Sequence, residues 1–230
     1  MNTQTATAVL VHGAWADATS WTKVVRLLQA KGIKTVTPRL PLSSLADDTA
    51  ALNRVLEELE GPVVLVGHAY AGAVIATAQS PKVKALVYIT ALAPDQGETV
   101  AEVFNRNEHD DKAPKLAPDS QGWIWLPTEA FGIAFAQDAT RDEQQALAAV
   151  QLPLSPACIT VPVGAPLWKS LPAWYLVAER DHMIPAKTQR FMAERMHAHI
   201  SAYPLDHLPS VTAPERVEAI IVDAIAHSNA

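Results

Sequence analysis

The chain has 230 residues, enough for one large α/β core, and its apolar content is even enough to give no reason to divide it in two. With 18 basic against 24 acidic residues the net charge is −6, and no basic stripe interrupts that balance, which excludes nucleic acid as the main partner. A single cysteine, Cys158, excludes an internal disulfide framework and reads as a small residue near a loop rather than a reactive thiol.

The segment Met1–Thr7 has no basic region, and the apolar stretch after it is interrupted by His12 and Gly13, so no secretion signal is expected. No apolar run reaches the roughly 18 to 20 residues of a membrane span, and the expected setting is the cytoplasm.

In chain order, a short β-branched run at Ala8–Val11 is followed by a helical pattern over Trp21–Lys31 that stops at Gly32. A second run, Lys34–Thr37, leads to a helix over Ser44–Leu59, and a third, Pro62–Val66, to one over Gly72–Gln79 ending before Pro81. Ala85–Ile89 and Trp174–Val177 complete the strands, and Ala186–His197 and Ala213–His227 the helices. Each run is nearly continuous in apolar character, as in parallel strands buried on both faces. The expected fold class is therefore α/β: one domain over residues 1–230, built on a mostly parallel, doubly wound sheet.

From about 95 to 171 the alternation lapses among prolines and charged residues, and an inserted cap over the sheet is expected there. Its aromatic residues, Trp123, Trp125, Phe131, Phe135 and Trp168, read as the cap's own core, with two or three of them facing a pocket beneath it.

After the third strand the chain reads Gly67-His68-Ala69-Tyr70-Ala71-Gly72 and enters a helix. A strained strand-to-helix turn needs small residues on both flanks of its central position, and Gly67 and Ala71 meet that need around Ala69. Such a turn aims residue 69 at the mouth of the sheet, beside the free N–H groups of a helix start.

With His12-Gly13-Ala14-Trp15 after the first strand, Ala91-Leu92-Ala93-Pro94-Asp95-Gln96-Gly97 after Ala85–Ile89, and later acid and histidine segments, the chain resembles the α/β-hydrolase superfamily over nearly its whole length. Within it, the chain is similar to the small esterase and hydroxynitrile lyase-like group that includes plant methylesterases. The resemblance implies the α/β-hydrolase fold, with Ala69 where the nucleophilic serine should stand, Asp181 as the triad acid with Glu179 as its rival, and His207 as the general base. It assigns the oxyanion hole to the backbone N–H groups of Ala14 and Tyr70. His12 is expected to shape its loop by hydrogen bonding. Trp15, His68, Tyr70, Trp123, Trp125, Phe131 and Trp168 are the substrate-pocket candidates, with His109 as a further lining residue.

The implied substrate is a small carboxylic ester or lactone, apolar or aromatic, handled by a monomer or homodimer. No cofactor, metal, nucleic acid or membrane is called for, since neither zinc spacing nor a G-x-G-x-x-G turn occurs. Lyases of this scaffold depend on a lysine near the acid and histidine loops; here Asp181–Pro185 contains none, so esterase is preferred. Three meanings of Ala69 follow: a Ser→Ala variant of an active esterase, favoured by the otherwise complete machinery; a relative in which His207 works on a proton without a covalent step; or a binding protein.

Overall fold

The computed structural model describes residues 5–228; the start of the segment examined for a secretion signal, residues 1–4, lies outside them. Six parallel strands form one sheet: β1 (Thr7–Val11), β2 (Thr35–Val36), β3 (Val63–His68), β4 (Val83–Ile89), β5 (Ala173–Ala178) and β6 (His199–Tyr203), in the order β2-β1-β3-β4-β5-β6. The chain moves outward from β1 first to one side and then to the other, leaving a switch point between β1 and β3. Crevices for ligands open at such a point, beyond the carboxyl ends of the strands.

Helices cover both faces: α1 (Thr22–Ala30), α2 (Leu45–Glu58), α3 (Ala71–Ala76), α6 (Ala186–Arg195), the single turn α7 (Pro209–Thr212) and α8 (Pro214–Ser228). Alternation along the strands divides the core in two. Leu10, Val64, Val66, Val87, Ile89 and Leu176 pack with Trp21, Leu28 and Ile221 on the α1 and α8 face; Val9, Val11, Leu65, Tyr88 and Tyr175 pack with Leu52, Val74 and Met192 on the other. Apolar residues are needed at both parities of the interior strands, which is why those strands read as unbroken apolar runs.

The sequence expectations depart from this structure in two elements. Strand β6 was not anticipated, because His199-Ile200-Ser201-Ala202-Tyr203 is a half-exposed edge strand with no apolar run, although His199 stacks on Trp174 with ring centroids 4.7 Å apart. The helix expected over Gly72–Gln79 ends at Ala76, with Thr77 as its cap.

Between β4 and β5 the chain forms α4 (Val100–Phe104), a π-helical turn at Phe131–Phe135, α5 (Arg141–Val150) and two short 3-10 turns. Helices α4 and α5 each start on a reciprocal cap, Thr99 with Glu102 and Thr140 with Glu143, two Thr-x-x-Glu signatures present in the sequence. No helix among the described residues is long and apolar enough to cross a membrane.

Candidate active site

The turn after β3 forms as expected. Ala69 sits at φ +49°, a left-handed conformation costly for a residue with a Cβ, and Trp15 and Thr90 nearby share it at +56° and +45°. The turn is locked by Leu92 N–H donating to the Ala69 carbonyl at 2.9 Å and by Ala69 N–H donating to that of Ile89 at 3.3 Å.

Glycine is required on both sides of this turn because backbone passes too near for a side chain. A Cβ on Gly67 would lie 2.8 Å from the Ala71 carbonyl oxygen, and one on Gly72 would lie 2.3 Å from that of Leu92. Gly72→Ala is therefore expected to cost about 1 to 3 kcal/mol of stability, read as a lower urea midpoint with an unchanged m-value. An unshifted midpoint would mean that the chain after β4 yields freely.

Asp181 follows β5 and His207 follows β6. The Asp181 carboxylate, 6% exposed, accepts from Met183 N–H (2.7 Å), Ile184 N–H (2.9 Å), Gln189 Nε2 (2.8 Å) and His207 Nδ1 (2.8 Å). With Nδ1 donating to a carboxylate, Nε2 of His207 is the basic nitrogen, and it has no partner among the described residues. Glu179, the rival acid, instead pairs with Arg190 on the surface.

The His207 carbonyl accepts two bonds, from His68 Nε2 at 2.8 Å and Thr90 Oγ1 at 3.0 Å. His68 is 1% exposed and outside the cavity lining, so its expected role in the pocket is corrected: it clamps the histidine loop from behind. Burial, with a contribution from neighbouring His207, holds its pKa down at about 3.

The neutral state of His68 has a pH consequence. The unfolded chain binds this proton near 6.5 and the folded chain only near 3, so stability is lost as pH falls between them. Over two pH units in that window, His68→Gln, which keeps a donor for the carbonyl, is expected to lose about 2 kcal/mol less than the unsubstituted chain. Denaturant melts at pH 6.5 and 4.5 test this; equal losses would rule it out. Asp48, whose pKa burial raises, titrates in the opposite sense but is common to both proteins and cancels.

His12 fulfils its expected structural role, accepting from Leu40 N–H at Nε2 (3.1 Å) and donating from Nδ1 to the Gly13 carbonyl (2.9 Å). Among the described residues, the N–H groups of Ala14 and Tyr70 meet no acceptor. The Tyr70 hydroxyl donates to buried Asp48 at 2.7 Å, and Leu42 N–H holds the other oxygen of that carboxylate at 2.8 Å. Cys158, against the same carboxylate, has its thiol pushed up to about 12 by burial, which makes it inert.

Ala14, Trp15, Ala69, Tyr70 and His207 form the floor of a cavity of about 390 Å³ roofed by α4 and the chain around it. Leu92, Val100, Phe104, Ile124, Leu154 and Met183 make most of its wall apolar. These wall residues, apart from the segments of Leu92 and Met183, were not singled out in the sequence. The Thr99 cap signature and the lone isoleucine between two tryptophans were the available signals.

Besides His68, four more of the expected lining residues are not on the cavity. Trp123 and Trp125 flank Ile124 in a bridged segment that pairs with Pro118 and Leu154; neighbouring side chains in an extended segment point to opposite sides, so Ile124 turns in and the tryptophans turn out. Trp125 is 46% exposed and bonds Asp119. Phe131 is fully buried against Phe135 in the cap's own core. Trp168, also buried, donates to the Pro94 carbonyl and lies beneath Arg195. No group of three His, Cys, Asp or Glu side chains placed to hold a metal ion occurs among the described residues.

A model of the Alpha/beta hydrolase family matches residues 8–220. Methylesterase 2 of Arabidopsis thaliana is 26% identical over 247 residues, covering 90% of this chain and 91% of that protein. A pyrethroid hydrolase of Sphingobium wenxiniae is 26% identical over 248 residues, 94% and 86% of the two chains. Among solved structures, polyneuridine aldehyde esterase superposes with a TM-score of 0.83 at 19% identity over 96% of this chain and 99% of its own. Tomato methylketone synthase I, complexed with 2-tridecanone, gives 0.79 at 17% identity over 99% and 100%.

Proposed function

This chain belongs to the alpha/beta hydrolase family, and we propose that its site is that of a carboxylic ester or lactone hydrolase of the serine-triad type in which Ala69 occupies the nucleophile's position. The observation that carries this reading is the convergence on one cavity of Ala69 in its strained turn, His207 oriented by Asp181, and the Ala14 and Tyr70 segments with their unpartnered N–H groups. Methylesterases and a pyrethroid hydrolase among the relatives support it.

With a serine at position 69, His207 takes the hydroxyl proton as the oxygen attacks the ester carbon and returns it to the leaving alcohol. Asp181 holds the imidazole in the correct tautomer, and the two N–H groups receive the oxyanion. Water then repeats the sequence on the acyl group. The apolar wall suits an apolar or aromatic ester, and the chemistry draws on side chains and backbone donors alone. With alanine the same site binds the ester but forms no acyl-enzyme. Restoring the oxygen by Ala69→Ser and assaying small p-nitrophenyl and methyl esters is the test.

A second reading rests on one observation: among the described residues no serine, threonine or cysteine lines the cavity, while His207 does. On that reading His207 takes a proton from water or from the bound molecule with no covalent step. The unsubstituted chain and its His207→Ala variant in the same assay separate the two: any residual rate is unchanged by the substitution under the first and is lost under the second.

A further inference from the structure

Asp48 is a fully buried carboxylate that the mechanism proposed above does not use. It lies in the first turn of α2 and off the cavity lining, and donors from three separate parts of the chain meet its two oxygens. Oδ1 accepts from Leu42 N–H at 2.8 Å; Oδ2 accepts from the Tyr70 hydroxyl at 2.7 Å and faces the Cys158 thiol at 3.7 Å. A carboxylate taken wholly out of water is costly to the fold, and apolar side chains would fill the same space without that cost.

The group therefore holds something that apolar packing would not. Leu42 sits at φ +55°, a left-handed conformation that leucine adopts only under constraint, and its carbonyl accepts from Ser155 N–H at 2.9 Å. Ser155 caps the turn Pro156–Cys158, which lies between the cavity-wall residues Leu154 and Ile159. One carboxylate thus joins the loop after β2 and the cap to Tyr70.

The N–H of Tyr70 belongs to the peptide unit between Ala69 and Tyr70. The carbonyl of that unit is held by Leu92 N–H at 2.9 Å and Gly72 N–H at 3.1 Å, whereas its N–H meets no acceptor among the described residues. Strain at Ala69 is relieved by rotation about that residue's own φ and ψ, and such a rotation tilts this peptide plane. On the N–H side, the restraint against tilting is the Tyr70 side chain, fixed at its far end by Asp48.

We propose that Asp48 is a positioning residue for the oxyanion hole: through the Tyr70 hydroxyl it holds the 69–70 peptide at the tilt that aims its N–H into the cavity. This inference rests on the proposed ester reading of the site. Asp48 acts through Tyr70 and does not touch the bound molecule.

The experiment uses the Ala69→Ser protein, assayed well below its melting temperature. Tyr70→Phe keeps the ring and removes the hydroxyl, and Asp48→Ala removes its anchor. Each is expected to lower kcat about tenfold with KM nearly constant, less than the loss of an oxyanion donor outright. The two together are expected to cost no more than either alone. Asp48→Asn retains a polar partner for the hydroxyl and is expected to keep most of the rate; in the Tyr70→Phe background the same change is expected to alter nothing.

A trifluoromethyl ketone reports on the hole directly. The serine oxygen adds to its carbonyl carbon, the hydroxyl proton passes to His207, and the carbonyl oxygen becomes the oxyanion. Its affinity is expected to fall by the same factor as kcat, which a loss of stability alone would not produce.

If Tyr70→Phe leaves kcat and ketone affinity unchanged, or if the loss is confined to KM, the positioning role is overturned and the ester reading stands. A further loss from Asp48→Asn in the Tyr70→Phe background would likewise overturn it, and that variant decides even where Asp48→Ala does not fold. If the Ala69→Ser protein hydrolyses no ester, the ester reading fails and this inference fails with it.

Discussion

Ala69→Ser is expected to raise the turnover of small carboxylic esters by on the order of a millionfold, the typical loss when the nucleophile is taken from a working triad. The size of the effect follows from what is already in place. The turn holds residue 69 at φ +49° whether or not it carries an oxygen, because Gly67 and Gly72 admit the neighbouring backbone and the Leu92 N–H closes it. His207 lines the same cavity with Nε2 unpartnered, ready to accept the new hydroxyl's proton. Binding should change little, since the wall that grips the ester is untouched, so the gain belongs in kcat rather than KM. A burst of one alcohol per chain would mark the acyl-enzyme. If the substituted protein melts as before yet hydrolyses none of the esters, the triad reading is wrong.

The second large effect belongs to the acid. In the Ala69→Ser background, Asp181→Asn is expected to lower kcat by about ten-thousandfold with KM nearly constant, as when a triad imidazole is held in the wrong tautomer. The amide turns an N–H toward His207 Nδ1, so the imidazole takes the tautomer that places a proton on Nε2. Two of the carboxylate's four partners, the backbone N–H groups of Met183 and Ile184, still have an oxygen to meet, which favours retention of the fold. His207→Ala in the same background should return the rate to that of the chain with alanine at 69, and combining it with Asp181→Asn should cost nothing further, because the triad acts as a unit. Additive losses would show that Asp181 acts independently of His207.

The parts of the site that sit at strand ends were legible in the sequence, because a strand, a small-residue turn and a helix start leave a local signature. The Gly67–Gly72 turn, His12-Gly13 and the Asp181 loop each follow an apolar run that is easy to see. The strand that delivers His207 was not, since an edge strand needs only one covered face and β6 is half exposed. The cap was harder still. Which side of an extended segment faces inward depends on the bridges that Ile124 makes with Pro118 and Leu154, the latter thirty residues away along the chain, so large aromatics drew attention that belonged to the isoleucine between Trp123 and Trp125. His68 shows the same limit: its place beside Ala69 suggested the pocket, yet the side chain turns behind the turn to hold a carbonyl 139 residues away in sequence.

The indole of Trp15 donates to the Ile124 carbonyl at 2.9 Å, which joins the loop after β1 to the roof. Ala14, a cavity-lining residue whose N–H meets no acceptor among the described residues, is the residue before it. The roof and the loop that the proposed mechanism uses to receive the oxyanion are thus joined by a direct hydrogen bond. A displacement of the roof wide enough to release a molecule must either break this bond or drag the loop with it. On the proposed mechanism, a product whose departure drags the loop also displaces one of the two oxyanion donors.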